Sequence, residues 1–154
     1  MFKKILVGYD GSKGGKAALQ HAATLAKQTN AQITALWARE PLPRHSDLPG
    51  ESEEQAEAAD EYFKQRQQEV AETAAQYGLQ IGCETRRGHP AKTIVKTADE
   101  GQYDLVVVGH SDHSELWGRL LGDTADRISD HAHCSVLIVK QPGQPEPKPA
   151  GTKT

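Results

Sequence analysis

The residues best placed to do chemistry cluster at two strand-to-helix turns. In the first, the run Val106-Val107-Val108-Gly109-His110-Ser111-Asp112 is followed by Gly122-Asp123-Thr124, so an apolar strand passes through a glycine turn into a helix. A helix start offers amides with no intrahelical partner and a positive dipole end, which suits a phosphate. Gly109 is expected to leave the strand with a positive φ. In the second, Val7-Gly8-Tyr9-Asp10-Gly11-Ser12 brings a carboxylate and a hydroxyl to the end of another apolar strand. Asp and Ser at such a turn close it and cap the following helix.

Other constellations carry less. His110-Ser111-Asp112-His113 contains the side chains of a triad, but neighbouring residues diverge and triads are assembled across a fold. His131-Ala132-His133-Cys134 has zinc-compatible groups without CxxC or HExxH spacing, so no metal ligands are assigned. Neither G-x4-G-K-[S/T] nor G-x-G-x2-G occurs, and Gly11-Ser12-Lys13-Gly14-Gly15-Lys16 reads as a flexible start to a helix. No catalytic residue is assigned.

The elements that must hold these turns alternate along the chain, which predicts an α/β fold around a buried parallel sheet. Five strands are legible, Lys3–Tyr9, Ala31–Ala38, Leu79–Arg86, Asp104–Val108 and Ser135–Lys140. Helical spacing joins Ala18, Ala22, Leu25 and Ala26, and again Ile94, Val95 and Ala98. A long helix over Glu51–Tyr77 opens in acid and turns Phe63, Val70, Ala74 and Tyr77 to one face, with Gly78 ending it. A last helix, starting near Gly118, carries Leu121, Ala125, Ile128 and Ala132.

A length of 154 residues suits one domain, and a net charge of -3 with a pI near 6.2 argues against nucleic acid as a partner. The apolar runs are strand-length, too short for a membrane span. Strand-like residues follow Met1-Phe2-Lys3-Lys4 directly, with no signal-peptide pattern, so a cytoplasmic protein is expected. Cys83 and Cys134 read as reduced structural thiols. The three prolines of Glu40–Gly50 make a surface loop that either covers a site or only connects. Residues 1–140 are expected to be the folded domain and residues 141–154 a disordered, proline-rich tail, whose PxxP match is read as incidental.

Taken together, the two turns and the alternation resemble the universal stress protein family. Its nucleotide-binding members carry G-x2-G-x9-G-[S/T] after the fourth strand. This chain matches at Gly109 and Gly122 and departs at Asp112, in place of glycine, and Asp123, in place of the hydroxyl residue. The resemblance, which runs to Lys140, implies a flavodoxin-like three-layer sandwich with a five-stranded parallel sheet in the order 3-2-1-4-5. That order puts the reversal of winding between the first and fourth strands, where such sheets bind ligands. It also implies roles for Gly8, Tyr9 and Asp10 at the nucleoside of ATP, for Ala38 and Trp37 beside adenine, and for Val108, Gly109, Gly122 and Thr124 at the phosphates. Core packing is the competing role for Trp37, and turn closure the competing role for Asp10.

The two aspartates set the ligand question. A carboxylate about 4 Å from a phosphate charge costs ~1 kcal/mol in water and ~4 kcal/mol at a protein-like dielectric. At about 1.4 kcal/mol per decade, each weakens binding from several-fold to nearly a thousand-fold. They could instead point outward or hold Mg²⁺ against the phosphates, and Arg119 and His110 could offset them. The expectation is a non-enzymatic stress-response module with an altered adenine-nucleotide pocket. It is expected to be a homodimer paired through the last strand, as the resemblance implies. The alternatives are an ATP-binding member with slow hydrolysis, and a nucleotide-dependent transferase for which no catalytic group can be named.

Overall fold

In a computed structural model that describes residues 1–40, 53–110 and 123–140, hydrophobic alternation is resolved into a central sheet with helices on both faces. The elements run β1 (Lys4–Gly8), α1 (Lys13–Thr29), β2 (Gln32–Arg39), α2 (Glu53–Tyr77), β3 (Ile81–Arg87), α3 (Pro90–Glu100), β4 (Leu105–Gly109), α4 (Asp123–His131) and β5 (Ser135–Val139). All pairings are parallel and the order is β3-β2-β1-β4-β5, as the resemblance implies. In register, Ile5 lies between Ile33 and Leu105, and Val107 beside Leu137.

Because successive strand residues point to opposite faces, β1 feeds two cores at once. Ile5 and Val7 join Leu19, Val70, Val107 and Val139 in one core, while Leu6 joins Leu36, Ile94, Val106 and Ile128 in the other. Ile5, Leu6 and Val7 are each 0% exposed, and burial of such a side chain contributes about 1.5–3 kcal/mol. The alanine stripe of α1, Ala18, Ala22 and Ala26, lets that helix lie close to the sheet.

Element ends depart from the periodicity by a residue or two, and polar groups explain the clearest case. Asp104 ends the approach to β4 as a cap, since its carboxylate accepts from the backbone N–H of Lys3 at 2.7 Å and of Lys4 at 3.0 Å. Ala132 follows the end of α4 instead of lying within it, its N–H donating to Ile128 at 2.8 Å. Residues 51–52 and 118–122, where the second and fourth helices were expected to begin, lie outside the described residues, as do most of the proline loop and the tail.

Two glycine expectations are corrected. Gly109 is still within β4 and is not among the glycines with positive φ. Its role is close approach, because a Cβ there would sit 2.2 Å from the carbonyl oxygen of Gly14. Conversely, Gly14 and Gly15 are not a flexible leader; they are buried in the first turn of α1, packed against the end of β4 and against Asp10.

Candidate functional site

Sheet order alone sets out the site. The carboxyl ends of β2, β1 and β4 stand side by side, and the starts of α1, α3 and α4 rise around them. Together they line a groove with a cavity of about 310 Å³. From β2 come Leu36, Trp37 and Ala38; from β1 and its turn, Gly8, Tyr9, Asp10 and Ser12. Gly14 and Gly15 of α1, Pro90 and Ile94 of α3, Val108, Gly109 and His110 at β4 and Thr124 of α4 complete the described lining. Three helix starts around one groove give it a positive end potential that favours an anion.

Local chemistry holds each wall. Ser12 is the N-cap of α1, its Oγ accepting from the N–H of Gly15 at 3.1 Å. Asp10 Oδ1 accepts from the N–H of Ser12 at 2.9 Å, so one carboxylate oxygen is committed to the turn. Gly8 forms a tight floor: a Cβ there would lie 3.0 Å from Ile94 Cδ1 and 3.1 Å from Val108 Cγ1. The hydroxyl of Tyr9 donates to Glu69 Oε1 at 2.6 Å. Burial first, then that bond, push the Tyr9 hydroxyl well above the usual tyrosine range.

Trp37 does two things at once. It lines the groove, and its ring packs on Tyr62 at 4.7 Å and Phe63 at 6.3 Å, both on α2. Arg66, one helical turn on from Tyr62, lies over the Tyr62 ring at 4.1 Å and pairs with Glu69 at 3.0 Å. The hydroxyl of Tyr62 donates to the carbonyl of Asp10. Reading only apolar periodicity along α2 missed Tyr62, Arg66 and Glu69, although their i, i+4 and i, i+3 spacing placed them on the face of Phe63 and Val70.

Of the residues singled out from sequence, Gly8, Tyr9, Asp10, Trp37, Ala38, Val108, Gly109, His110 and Thr124 come together in this groove. Asp112, Arg119 and Gly122 lie outside the described residues, and Asp123 is described only as the first residue of α4. His133 pairs with Asp99 at 3.0 Å on the surface. Burial pushes the Cys83 thiol up to about 11 and the Cys134 thiol upward, which keeps both protonated and inert near neutral pH.

The comparisons with known proteins agree with one another. The family model described as Universal stress protein family matches residues 1–140. Universal stress protein MJ0531 of Methanocaldococcus jannaschii is 35% identical over 146 residues, spanning 92% of this chain and 84% of that protein. Universal stress protein YxiE of Bacillus subtilis is 33% identical over 148 residues, spanning 91% of this chain and all 100% of its own. Among solved structures, universal stress protein UspA from Lactobacillus plantarum superposes with a TM-score of 0.70 at 29% identity, covering 90% of this chain and 97% of that one. A universal stress protein in complex with cAMP gives 0.68 at 24% identity over 90% and 97% of the two chains. One from Archaeoglobus fulgidus in complex with dAMP gives 0.58 at 17% identity over the same 90% and 97%.

Proposed function

The chain belongs to the universal stress protein family, and from that premise we propose that it is a non-enzymatic, homodimeric stress-response module that takes an adenine nucleotide with a short phosphate chain. The carrying observation is the lateral order of one groove: Trp37 and Ala38 at the β2 end, the Asp10 carboxylate at the β1 end, and Gly109 with Thr124 beyond β4. An apolar wall suits a flat base, a carboxylate suits hydroxyl or amino donors, and a helix start suits a phosphate. That order matches a nucleoside phosphate laid across the sheet ends.

Three points favour few phosphates over three. A cavity of about 310 Å³ is at the small end for ligand sites. Asp112 and Asp123 stand in the stretch that would meet a longer phosphate chain, at the cost per charge given above. Two solved relatives carry cAMP and dAMP, each with a single phosphate. Ser12 Oγ is used as a helix cap, which supports binding without a nucleophile. Two unpaired thiols fit a reducing, cytoplasmic setting.

Support for the dimer comes from β5, the edge strand, whose Val136, Leu137 and Ile138 are only half-buried within the protomer. An apolar edge of this kind pairs readily with its own symmetry mate.

Isothermal titration tests the ligand. AMP is expected to bind, with Mg-ATP at least about tenfold weaker, and the double change Asp112→Gly, Asp123→Ser is expected to raise Mg-ATP affinity by about tenfold or more. Equal Mg-ATP affinity in wild type and double variant would show that the aspartates face away or hold Mg²⁺, and would favour the ATP-binding reading. No heat with any adenine nucleotide would end the proposal.

A further inference from the structure

We propose that Tyr62 of α2 is a positioning residue for the nucleotide site, holding the Asp10 carboxylate where it meets the ligand; the inference rests on the adenine-nucleotide reading above. Asp10 lies in a short turn after β1, and a turn of this kind does not by itself hold a carboxylate in one place. Its own bond to the Ser12 N–H fixes Oδ1 relative to α1. The backbone holds the start of the turn to β2, the other wall of the groove, through the Tyr9 N–H donating to the Leu36 carbonyl at 2.9 Å, and α2 adds a tie one residue further on, at Asp10 itself.

Tyr62 touches both walls. Its hydroxyl donates to the Asp10 carbonyl, and its ring packs against Trp37 with centroids 4.7 Å apart and planes tilted by 40°. One side chain therefore extends to Asp10 the tie between the β1 turn and β2 that the Tyr9–Leu36 backbone bond begins. Arg66 keeps that side chain in place from beneath. Its guanidinium lies 4.1 Å from the Tyr62 ring centroid and so close under Gly11 that a Cβ there would be 2.5 Å from Nη1. Glu69 then pairs with Arg66 at 3.0 Å and accepts the Tyr9 hydroxyl at 2.6 Å, tying the assembly back to β1. Gly11, at φ +84°, supplies the turn that leaves room for the guanidinium.

The arrangement gives Asp10 two fixed points, a carbonyl held by Tyr62 and an Oδ1 held by Ser12. The second carboxylate oxygen, Oδ2, is the one a ligand donor would use. Removing the Tyr62 hydroxyl leaves the ring contacts with Trp37 and Arg66, takes away the hydroxyl's own interaction with Arg66, and releases the carbonyl. The loss then falls on the interaction Asp10 makes with ligand, not on the aromatic wall.

A double-mutant cycle on the full-length protein, titrated with AMP, tests this. Tyr62→Phe is expected to weaken AMP binding by about three- to tenfold, the effect of one ordinary hydrogen bond. In the Asp10→Ala background the same change is expected to have no further effect. Thermal melts of all four proteins fix a titration temperature at which each is folded. The Ser12 amide signal, followed by NMR without ligand, is expected to exchange faster in Tyr62→Phe, a readout that the aromatic wall does not move. Equal losses in both backgrounds would overturn the inference, since Tyr62 would then act through the wall or through folding. So would an unchanged Tyr62→Phe beside a weakened Asp10→Ala. A wild type that binds no adenine nucleotide would overturn the functional reading itself, and this inference with it.

Discussion

On the β2–β3 side of β1 the outer strands run eight and seven residues and end in charge, whereas on the β4–β5 side they run five each and carry no charged residue. The outermost strand β3 exposes Glu84, Thr85, Arg86 and Arg87, with Arg86 paired to Glu100 at 3.0 Å. A charged edge discourages another strand from pairing. The outermost strand β5 is Ser-Val-Leu-Ile-Val, with three of its apolar side chains half-covered. The same division runs through the groove. Its β2 side is closed by contacts of the chain with itself, through Trp37, Tyr62 and Arg66, while its β4 side leads to the acidic stretch that decides the phosphate question. Among the described residues the first flank is closed by the chain itself, and the second is the one on which the proposed dimer and phosphate contacts fall.

The apolar edge is where a single substitution has the most to disrupt. Ile138→Pro removes an amide and interrupts β5, so sedimentation equilibrium is expected to pass from dimer to monomer or aggregate. Arg86→Ala, on the opposite edge, is expected to leave the dimer unchanged, because an exposed ion pair contributes little. A wild type that is monomeric at micromolar concentration would remove the proposed distinction between the edges.

Next in size is the contrast between two glycines. A Cβ at Gly109 would meet the Gly14 backbone at 2.2 Å from its oxygen and 2.3 Å from its carbonyl carbon, so α1 and β4 would have to separate. Gly109→Ala is expected to cost about 3 kcal/mol or more in urea unfolding. At Gly11 the obstacle is the movable end of Arg66 and a φ of +84°, and Gly11→Ala is expected to cost only about 1–2 kcal/mol. Equal costs would show that the backbone crossing is softer than its geometry.

Much of this was legible in the sequence because it depends on patterns of period two and near 3.6. Val106-Val107-Val108 had to be a buried strand, and Ala18, Ala22 and Ala26 had to face it. The order of the strands came from a resemblance instead, since alternation fixes neighbours along the chain but not across the sheet. What periodicity could not show were contacts between polar groups far apart in sequence. Tyr62 and Asp10 are separated by 52 residues, and nothing local to either indicates their bond. Gly109 is glycine because of close approach and not φ, and only φ is local enough to be read from its neighbours. The crossing with Gly14 exists only once the sheet has formed.

On the closed flank a single buried hydroxyl has a smaller effect. Tyr9 is 3% exposed, and its hydroxyl donates to Glu69, whose other oxygen accepts from Arg66 at 3.0 Å. Tyr9→Phe removes one hydrogen bond, but the Glu69 side chain is 28% exposed and can recover a water. A loss of about 1 kcal/mol is therefore expected, with dimerisation unaltered. Burial and Glu69 raise the Tyr9 hydroxyl above its unfolded value, so the folded state holds this proton more tightly than the unfolded chain does. That contribution is fully present below the unfolded value near about 10 and is lost as pH rises from there toward the folded value. The stability gap between wild type and Tyr9→Phe is expected to be constant between pH 7 and about 9 and to narrow above about 10. A gap that widens with alkali would mean that the phenolate is better accommodated beside Arg66 than Glu69 allows, and that this flank is not closed by the bond assigned to it.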